Sequence, residues 1–322
     1  MSLVLPWLSL LLCSILAGAS YPVIRYLVTI ISPADLVALT FIPATIISFI
    51  LIPAFFGKTF MEVVKKDWWL FLFLGALSIF GFQYVVNYVV TVLPSGAASL
   101  IVNTWPILTI IMGSIFLGER MTTGKVSGTL IAFAGTVVLI IFGAQREAGT
   151  HDISAAEWMR YSLITLLCPV TAATVTTISR WYLTRNNSNN EKASPALYAL
   201  LMRLPTGFMV LTFWKPSEFA IDSSVNPDMR IFIVLVLIVI ISRVFGFLLW
   251  NWALQRIEAG NTAIFSYIQA IFAISIARFV FGETIGPATS WGAAFIIVGV
   301  VVANLDKWKK PVKPSDLPMK PD

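Results

Sequence analysis

Charged side chains are scarce in this sequence. Lysine, arginine, aspartate and glutamate supply 12% of the 322 residues, whereas hydrophobic residues supply 58%. Because a soluble domain carries about 25% charged residues, this chain has too few of them to cover a water-facing surface. The composition excludes an ordinary soluble fold and predicts a protein whose solvent is lipid. The basic residues behind the net charge of +6 form no single patch, so we expect membrane lipid, and no nucleic acid, as their partner.

Cysteine and histidine are almost absent as well. Cys13 and Cys168 both lie within apolar runs, which argues against a disulfide framework and predicts two small apolar side chains. The single histidine, His151, lies in a predicted loop, so an obvious histidine proton relay is missing. The sequence also lacks HExxH, Walker and Gly-x-Ser-x-Gly motifs. We therefore expect no enzyme activity, no metal, no cofactor and no ATP-driven step.

Acidic residues are missing from the interior of every long apolar run. Small antiporters that exchange cationic drugs for protons rely on a carboxylate buried in the membrane. The absence of such a group predicts that a cationic drug is a poor substrate for this chain.

Apolar runs of about 20 residues, by contrast, are abundant, and this is the length at which an α-helix crosses the hydrocarbon core. The predicted spans, numbered one to ten in chain order, cover residues 7–31, 34–55, 68–92, 95–117, 123–143, 160–184, 195–214, 231–256, 261–282 and 287–305. The polar connections between them are too short to hold a separate domain. The pattern predicts an all-α integral membrane protein with ten transmembrane helices.

Lysine and arginine are distributed unevenly over the two sides that ten spans define. If the first residue is cytoplasmic, the cytoplasmic segments hold 13 of these residues and the external segments hold four. This bias follows the positive-inside rule, so we expect both termini to be cytoplasmic, in a bacterial inner (plasma) membrane. The Lys- and Pro-rich stretch 306–322 is predicted to be a disordered cytoplasmic tail.

The dipeptide Gly-Glu ends an apolar run twice, at Glu119 and again at Glu283. When residues 82–138 are shifted by 164 positions, Asn87 aligns with Asn251 and the other Gly-Glu pair follows without a gap. Such coincidence of residues with special backbone or polar roles predicts an internal duplication. We place a first five-helix repeat at 1–143, an external linker at 144–159 and a second five-helix repeat at 160–305.

Each repeat holds five spans, an odd number, so the two repeats are expected to lie in opposite orientations. This inverted-topology arrangement is common in secondary transporters. Glu119 and Glu283 then mark opposite faces of the membrane. We interpret both Gly-Glu pairs as the ends of spans four and nine, where glycine eases the turn, rather than as ion-coupling groups.

The stretch SGAASLIVNTWPILTIIMGSIFLGERMTTGKVSGTLIAFAGTVVLI at 95–140 resembles the EamA-type module of the drug/metabolite transporter superfamily. The likeness lies in a small-residue start to span four, a proline within it, a Gly-Glu-Arg end and a Gly-rich span five. A second copy occupies 259–303, and the resemblance covers nearly the whole chain. It implies ten helices, an inverted duplication and transport of small organic solutes, commonly export. Some relatives move amino acids, including aromatic ones.

The chain departs from the family's pattern at three positions. Ala17 stands where the family often has the tryptophan of a Trp-Gly pair, and Phe41 stands where it often has an arginine that pairs with the one at Arg203. Ala270 aligns with Pro106 of the first repeat. These differences bear on the substrate more than on the fold.

Arginines within the spans are the strongest candidates for a substrate site. Arg203 and Arg243 lie too far from a span end to reach water, so each should face a wet cavity or a polar partner. A guanidinium can bind a carboxylate through two parallel hydrogen bonds. Arg25, Arg180 and Arg278 lie within about two turns of a span end and are expected to extend toward the interface.

Polar and aromatic side chains elsewhere in the spans could complete a midplane pocket for a small-molecule substrate. The candidate substrate-binding residues are Ser20, Tyr21, Gln83, Tyr84, Asn87, Asn103, Trp105, Arg203, Arg243, Trp250, Tyr267 and Gln269. Hydrogen bonding between helices is the commoner role for such residues and stays an open alternative for each.

Small residues form a stripe on spans five and ten. Gly124, Gly128 and Ala132 lie on span five, and Gly292 and Gly299 lie on span ten. Such stripes allow helices to approach closely, so we expect scaffold or dimer packing here and no substrate contact. The chain is predicted to be a monomer or a weak homodimer through these two spans.

The sequence thus favours a secondary transporter that exports small organic solutes by alternating access, with amino acids or related carboxylate metabolites as substrates. Two alternatives stay open. One is an exchanger of phosphorylated metabolites or nucleotide sugars, whose phosphate would meet the arginines. The other is a membrane scaffold that transports nothing and needs no wet cavity.

Overall fold

The computed structural model describes residues 4–57, 59–119, 121–146, 153–188, 194–215, 228–257, 259, 262 and 266–309. Helices account for most of these residues, and no β-strand occurs within the described ranges. The first two predicted spans form the single helices α1 (Val4–Leu27) and α2 (Pro33–Phe56). Ser32 caps α2, because its hydroxyl accepts a hydrogen bond from the Asp35 amide over 3.1 Å.

Four predicted spans consist of more than one segment. Span three comprises α3 (Thr59–Ala76), a first π-helical segment (Leu77–Gln83) and α4 (Tyr84–Val89). Span four comprises α5 (Ser95–Val102) and α6 (Trp105–Leu117). Span six comprises α8 (Ala155–Thr165) and α9 (Leu167–Ser188). Span eight comprises α11 (Met229–Ile241), a second π-helical segment (Ser242–Gly246) and α12 (Phe247–Leu254).

The other spans correspond to single helices in the described residues. These are α7 (Thr123–Arg146), α10 (Pro195–Phe213), α13 (Ser266–Phe279) and α14 (Pro287–Lys309). The last helix extends to Lys309, past the predicted end of span ten at 305. Residues 310–322 of the predicted tail and residues 147–152 of the predicted linker lie outside the described residues.

The helices are long and apolar enough for a bilayer. Eight helical stretches among the described residues could cross a membrane by length and composition, and two shorter apolar helices lie at Gln269–Phe279 and Pro287–Gly299. Large apolar side chains cover the outer surface, including Phe55 at 75% and Phe279 at 86% exposure. A monomeric soluble protein rarely exposes so much apolar surface. Together with the hydropathy, this surface shows an integral membrane protein with lipid around it.

Small residues bring α7 and α14 into close contact. A Cβ atom built on Gly299 would lie 2.5 Å from the backbone nitrogen of Ala132 and 2.5 Å from the carbonyl oxygen of Gly128. No side chain fits into such a gap, so glycine is required there. The small-residue stripe of spans five and ten is therefore occupied by packing within one chain, and a homodimer through these helices stays a prediction.

We expect Gly299→Leu to destabilise the fold, because its side chain would collide with the α7 backbone and overpacking costs roughly 1–3 kcal/mol or more. Thermal unfolding of the purified protein in detergent should show a lower melting temperature. Val298→Leu is the matched control, since Val298 is 52% exposed on the neighbouring lipid-facing surface. Equal melting temperatures for the two variants would contradict the close packing.

Candidate functional site

A cavity of ≈ 240 Å³ is the candidate substrate site. Its walls come from α1, α2, both π-helical segments, α5, α6, α9, α10, α12 and α13, so helices from both halves of the chain contribute. Seven of the predicted site residues line it: Tyr21, Gln83, Trp105, Arg203, Arg243, Trp250 and Gln269. The structure thus brings most of the predicted set together.

Four predicted residues lie elsewhere: Ser20, Tyr84, Asn87 and Asn103. The side chains of Ser20 and Asn103 donate to carbonyl oxygens one turn back in their own helices, over 2.9 and 2.7 Å. The Tyr84 ring stacks on the Phe80 ring, with 5.9 Å between their centroids. None of the four lines the candidate cavity, and a binding role for them stays a prediction. The Tyr267 side chain lies outside the described residues.

Asn87 acts behind the cavity wall. Its Oδ1 accepts a hydrogen bond of 2.8 Å from Nε2 of Gln83, one helical turn earlier. The Oε1 atom of Gln83 in turn accepts a hydrogen bond from Nη1 of Arg243. Asn87 therefore orients the Gln83 amide so that its oxygen faces the arginine.

The two π-helical segments both line the cavity. The first contributes Ser78, Phe82 and Gln83, and the second contributes Ser242 and Arg243. A shift of 164 residues carries Leu77–Gln83 onto 241–247, so the two segments occupy equivalent places in the duplication. Short π-helical turns inside α-helices often occur at functional sites, because the extra residue redirects the side chains. Hydropathy did not predict them, since one extra residue per turn leaves an apolar run apolar.

Arg203 and Arg243 share one aromatic ring. Their guanidinium carbons lie 5.5 and 4.4 Å from the centroid of Phe41. Arg203 also lies 4.0 Å from the ring of Phe247, and its Nη2 donates to the backbone carbonyl of Arg243 over 2.8 Å. Aromatic faces and carbonyl oxygens stabilise a cation without neutralising it.

Both arginines keep unsatisfied hydrogen-bond donors. The Nε atoms of Arg203 and Arg243 are buried and have no hydrogen-bond partner among the described residues. The described residues that line the cavity include no aspartate or glutamate. A buried charge without a counter-charge is costly, so this cavity favours an anionic occupant. Carboxylate and phosphate groups match the fork of guanidinium donors.

Phe41 is the clearest cavity residue that the predicted site lacks. It aligns with Arg203 at a shift of 162 residues, and the structure places its ring against that same arginine. The departure from the family's paired arginines was therefore the available signal. An aromatic ring therefore stands where the family often has another arginine, and it contacts both Arg203 and Arg243.

Aromatic and apolar side chains form the rest of the wall. Trp105 and Trp250 meet edge to face, with 5.5 Å between ring centroids. Tyr21, Phe82 and Val102 add further apolar surface. Such a wall binds the hydrocarbon or aromatic part of a ligand, while the arginines bind its charged end.

The Gly-Glu pair at 282–283 joins the two halves of the chain. Gly282 has φ of +69°, a left-handed conformation that glycine adopts without strain. Glu283 accepts hydrogen bonds from the amide and the hydroxyl of Ser95, over 3.1 and 2.8 Å, at the start of α5. It also forms an ion pair of 3.2 Å with Nε of Arg25. The carboxylate therefore caps a helix of the first half, a contact that we call the Glu283 cap.

The pair at 118–119 makes the equivalent contact in the other direction. Oε1 of Glu119 accepts a hydrogen bond of 3.2 Å from the amide of Ala259, which aligns with Ser95 at the shift of 164 residues. Nearby, Nη1 of Arg180 donates to the carbonyl of Leu254 over 2.6 Å. The interpretation of the Gly-Glu pairs as helix ends is thus incomplete, since each carboxylate also caps the opposite half. We call this second contact the Glu119 cap.

Arg25 and Arg180 do not simply extend toward the interface as predicted. Nη1 of Arg25 donates to the carbonyl of Val90 over 2.8 Å, and the bond from Arg180 to Leu254 is its counterpart in the duplication. Both arginines satisfy carbonyl groups at a helix C-terminus, where positive charge is favourable.

A model of the EamA-like transporter family matches residues 5–141 and 159–305. An uncharacterized transporter of Archaeoglobus fulgidus is 26% identical over 92% of this chain and 97% of its own length. A "Probable terminal-alkyne amino-acid exporter" of Streptantibioticus cattleyicolor is 25% identical over 71% of each chain. A "Probable amino-acid metabolite efflux pump" of Escherichia coli is 22% identical over 69% of this chain and 71% of its own length. A protein crystal structure superposes with a TM-score of 0.65 at 20% identity, covering 94% of this chain and 98% of that one.

Proposed function

Because the chain belongs to the EamA-like transporter family, we propose that it is a secondary transporter of small organic carboxylates that works by alternating access. It exports amino acids or related carboxylate metabolites across a bacterial inner membrane. Ten helices form two inverted five-helix repeats, and both termini are cytoplasmic. The names of two relatives, an amino-acid exporter and an amino-acid metabolite efflux pump, support this substrate class.

One observation carries the proposal. Among the described residues, two buried arginine Nε atoms have no hydrogen-bond partner, and they lie beside a cavity whose lining contains no carboxylate. A solute with a carboxylate would accept hydrogen bonds from these donors and supply the missing negative charge. Because the cavity holds two positive charges and no described negative one, the affinity of a ligand should depend mainly on its negative charge.

The duplication supports alternating access. The Glu119 and Glu283 caps are equivalent contacts, and the proposed inverted topology puts them on opposite sides of the membrane. Breaking one cap while the other holds would open the cavity to one side only. Transport then requires a transition between two states of similar energy, as inverted repeats permit.

The alternative exchanger function has one observation in its favour, since neighbouring guanidiniums also suit a phosphate group. The cavity of ≈ 240 Å³ is small for a nucleotide sugar, given that sites for drug-sized ligands span roughly 300–1,000 Å³. A sugar phosphate is therefore the relevant competitor. A non-transporting scaffold has no use for such a cavity.

Counterflow in proteoliposomes tests the proposal. Vesicles with the purified protein, preloaded with one unlabelled carboxylate at a time, should take up the same labelled carboxylate faster than protein-free vesicles. A panel of amino acids, N-acyl amino acids, 2-oxo acids and sugar phosphates covers both candidate functions. Counterflow with sugar phosphates alone would favour the exchanger, and none with any solute would favour the scaffold.

A further inference from the structure

We infer that the cavity selects organic anions without a free ammonium group over zwitterionic amino acids of the same skeleton. This inference rests on the proposed function and narrows its substrate class. The ligand is a carboxylate with an aryl or branched apolar body, whose nitrogen, where it has one, is uncharged, as in an N-acyl amino acid.

The first argument is the charge around the carboxylate position. Arg203 and Arg243 contact the same Phe41 ring, and Nη2 of Arg203 reaches the Arg243 carbonyl over 2.8 Å. A carboxylate bound to either arginine is thus close to the other. The α-ammonium of an amino acid lies one carbon from its carboxylate, so it would be held near two cations. Like charges at such distances repel, and the apolar surroundings screen them weakly.

The second argument is the absence, among the described residues of the wall, of a carboxylate that would neutralise the ammonium. No aspartate or glutamate occurs among the described residues of the cavity wall. The rings of Phe41 and Phe247 already face guanidinium groups, and Oε1 of Gln83 already accepts from Arg243. These two rings and this amide oxygen are therefore already occupied by the protein's own cations.

Neutral acceptors do remain on the wall. Asn251 uses its Nδ2 to donate to the Phe247 carbonyl over 2.9 Å, which leaves its Oδ1 available, and Gln269 also lines the cavity. An amide oxygen can accept the N–H of an acylated nitrogen as well as that of an ammonium, but it offsets no charge. These groups therefore suit an amide nitrogen better than a charged one.

The third argument is the shape of the remaining wall. Trp105 and Trp250 meet edge to face beside Tyr21, Phe82 and Val102. This surface binds an apolar body, and its ring faces attract a cation only modestly because they carry no counter-charge. An anion with one charged end and one apolar end matches both parts of the cavity.

Four probes with one phenyl group separate the charge states: N-acetylphenylalanine, 3-phenylpropionate, phenylalanine and 2-phenylethylamine. Their affinities for the full-length protein in nanodiscs are measured by calorimetry or by competition. We expect the two anions to bind at least about tenfold more tightly than phenylalanine, because the two guanidinium groups repel its ammonium. The amine should show no binding.

Ser242→Asp provides a second, opposite test, because Ser242 lines the cavity next to Arg243. A carboxylate there would receive an ammonium, so the preference for N-acetylphenylalanine over phenylalanine should shrink about tenfold. Ser242→Asn is the control of similar shape and should keep the wild-type order. An unchanged preference in folded Ser242→Asp would count against the inference.

The wild-type ranking decides the matter even if the aspartate variant does not fold. If phenylalanine binds as tightly as N-acetylphenylalanine, the inference is wrong while the proposed carboxylate transport stands. If no carboxylate of any kind binds or supports counterflow, the proposed function itself fails. If the amine binds best, both fail.

Discussion

Arg243→Gln should reduce carboxylate counterflow by about 30-fold or more, because truncating one partner of a desolvated charged hydrogen-bonded pair costs roughly 2–5 kcal/mol. Arg243 lies in the second π-helical segment, and its guanidinium carbon is 4.4 Å from the centroid of the Phe41 ring. Its buried Nε has no partner among the described residues. Glutamine keeps a polar side chain of similar length but removes the charge. The measurement is initial counterflow of the carboxylate that gives the highest wild-type rate.

Two further variants separate charge from geometry. Arg243→Lys keeps the charge but loses the planar pair of donors, so we expect an intermediate rate. Arg230→Gln makes the same chemical change at an exposed position on α11 and should leave counterflow within about twofold of wild type, as most surface substitutions have small effects. Full activity of Arg243→Gln would remove this arginine from the site.

Glu283→Gln should reduce counterflow about tenfold or more, since losing one partner of a largely buried ion pair typically costs roughly 3–5 kcal/mol. The Glu283 side chain is 15% exposed and bonds both the ion-pair partner Arg25 and the start of α5 at Ser95. The amide cannot neutralise Arg25, so the Glu283 cap weakens and the cavity should open to that side more often. An open state that no longer closes would slow each transport cycle.

A cysteine reporter measures this opening directly. In a Cys13→Ser, Cys168→Ser background, Val102→Cys places a thiol on the cavity wall. Membrane-impermeant maleimide added outside should label this reporter several-fold faster in Glu283→Gln than in the parent. Glu157→Gln is the control, because Glu157 caps its own helix α8, at Ser154, and contacts no other helix through a hydrogen bond among the described residues. Unchanged labelling together with unchanged flux would show that the cap is structural only.

Composition and the length of the apolar runs predicted the membrane class and the positions of most helices. Spans such as 34–55 and 195–214 differ by a residue or so from α2 and α10, because Ser-Pro marks the helix starts. Hydropathy missed the internal breaks, including the one at Asn103 and Thr104 ahead of Pro106. A break between two apolar segments changes backbone hydrogen bonding without changing hydropathy. The EamA resemblance, in contrast, depended on local motifs and is confirmed.

The sequence predicted cavity residues best where the side chain has a high free-energy cost in lipid. Arg203 and Arg243 stood out from their apolar neighbours, and both line the cavity. Asn87 and Ser20 are also polar, yet they bond to neighbouring groups of the protein instead. The polarity of the side chains gave no reason to choose Phe41, because aromatic residues are common in membrane helices. Which polar residues face a cavity depends on helix rotation, and one sequence does not report it.

By itself the sequence determined that this chain is embedded in a membrane, that it contains an internal duplication and that its two mid-span arginines need polar partners. These properties follow from hydropathy and charge, whose energies in a bilayer depend little on which helix lies next to which. Only the tertiary structure decided that both arginines share Phe41, that the π-helical segments form part of the cavity wall, and that each Gly-Glu carboxylate caps the opposite half. Such contacts join residues as much as 188 positions apart, and they exist only once helix packing brings them within hydrogen-bond distance.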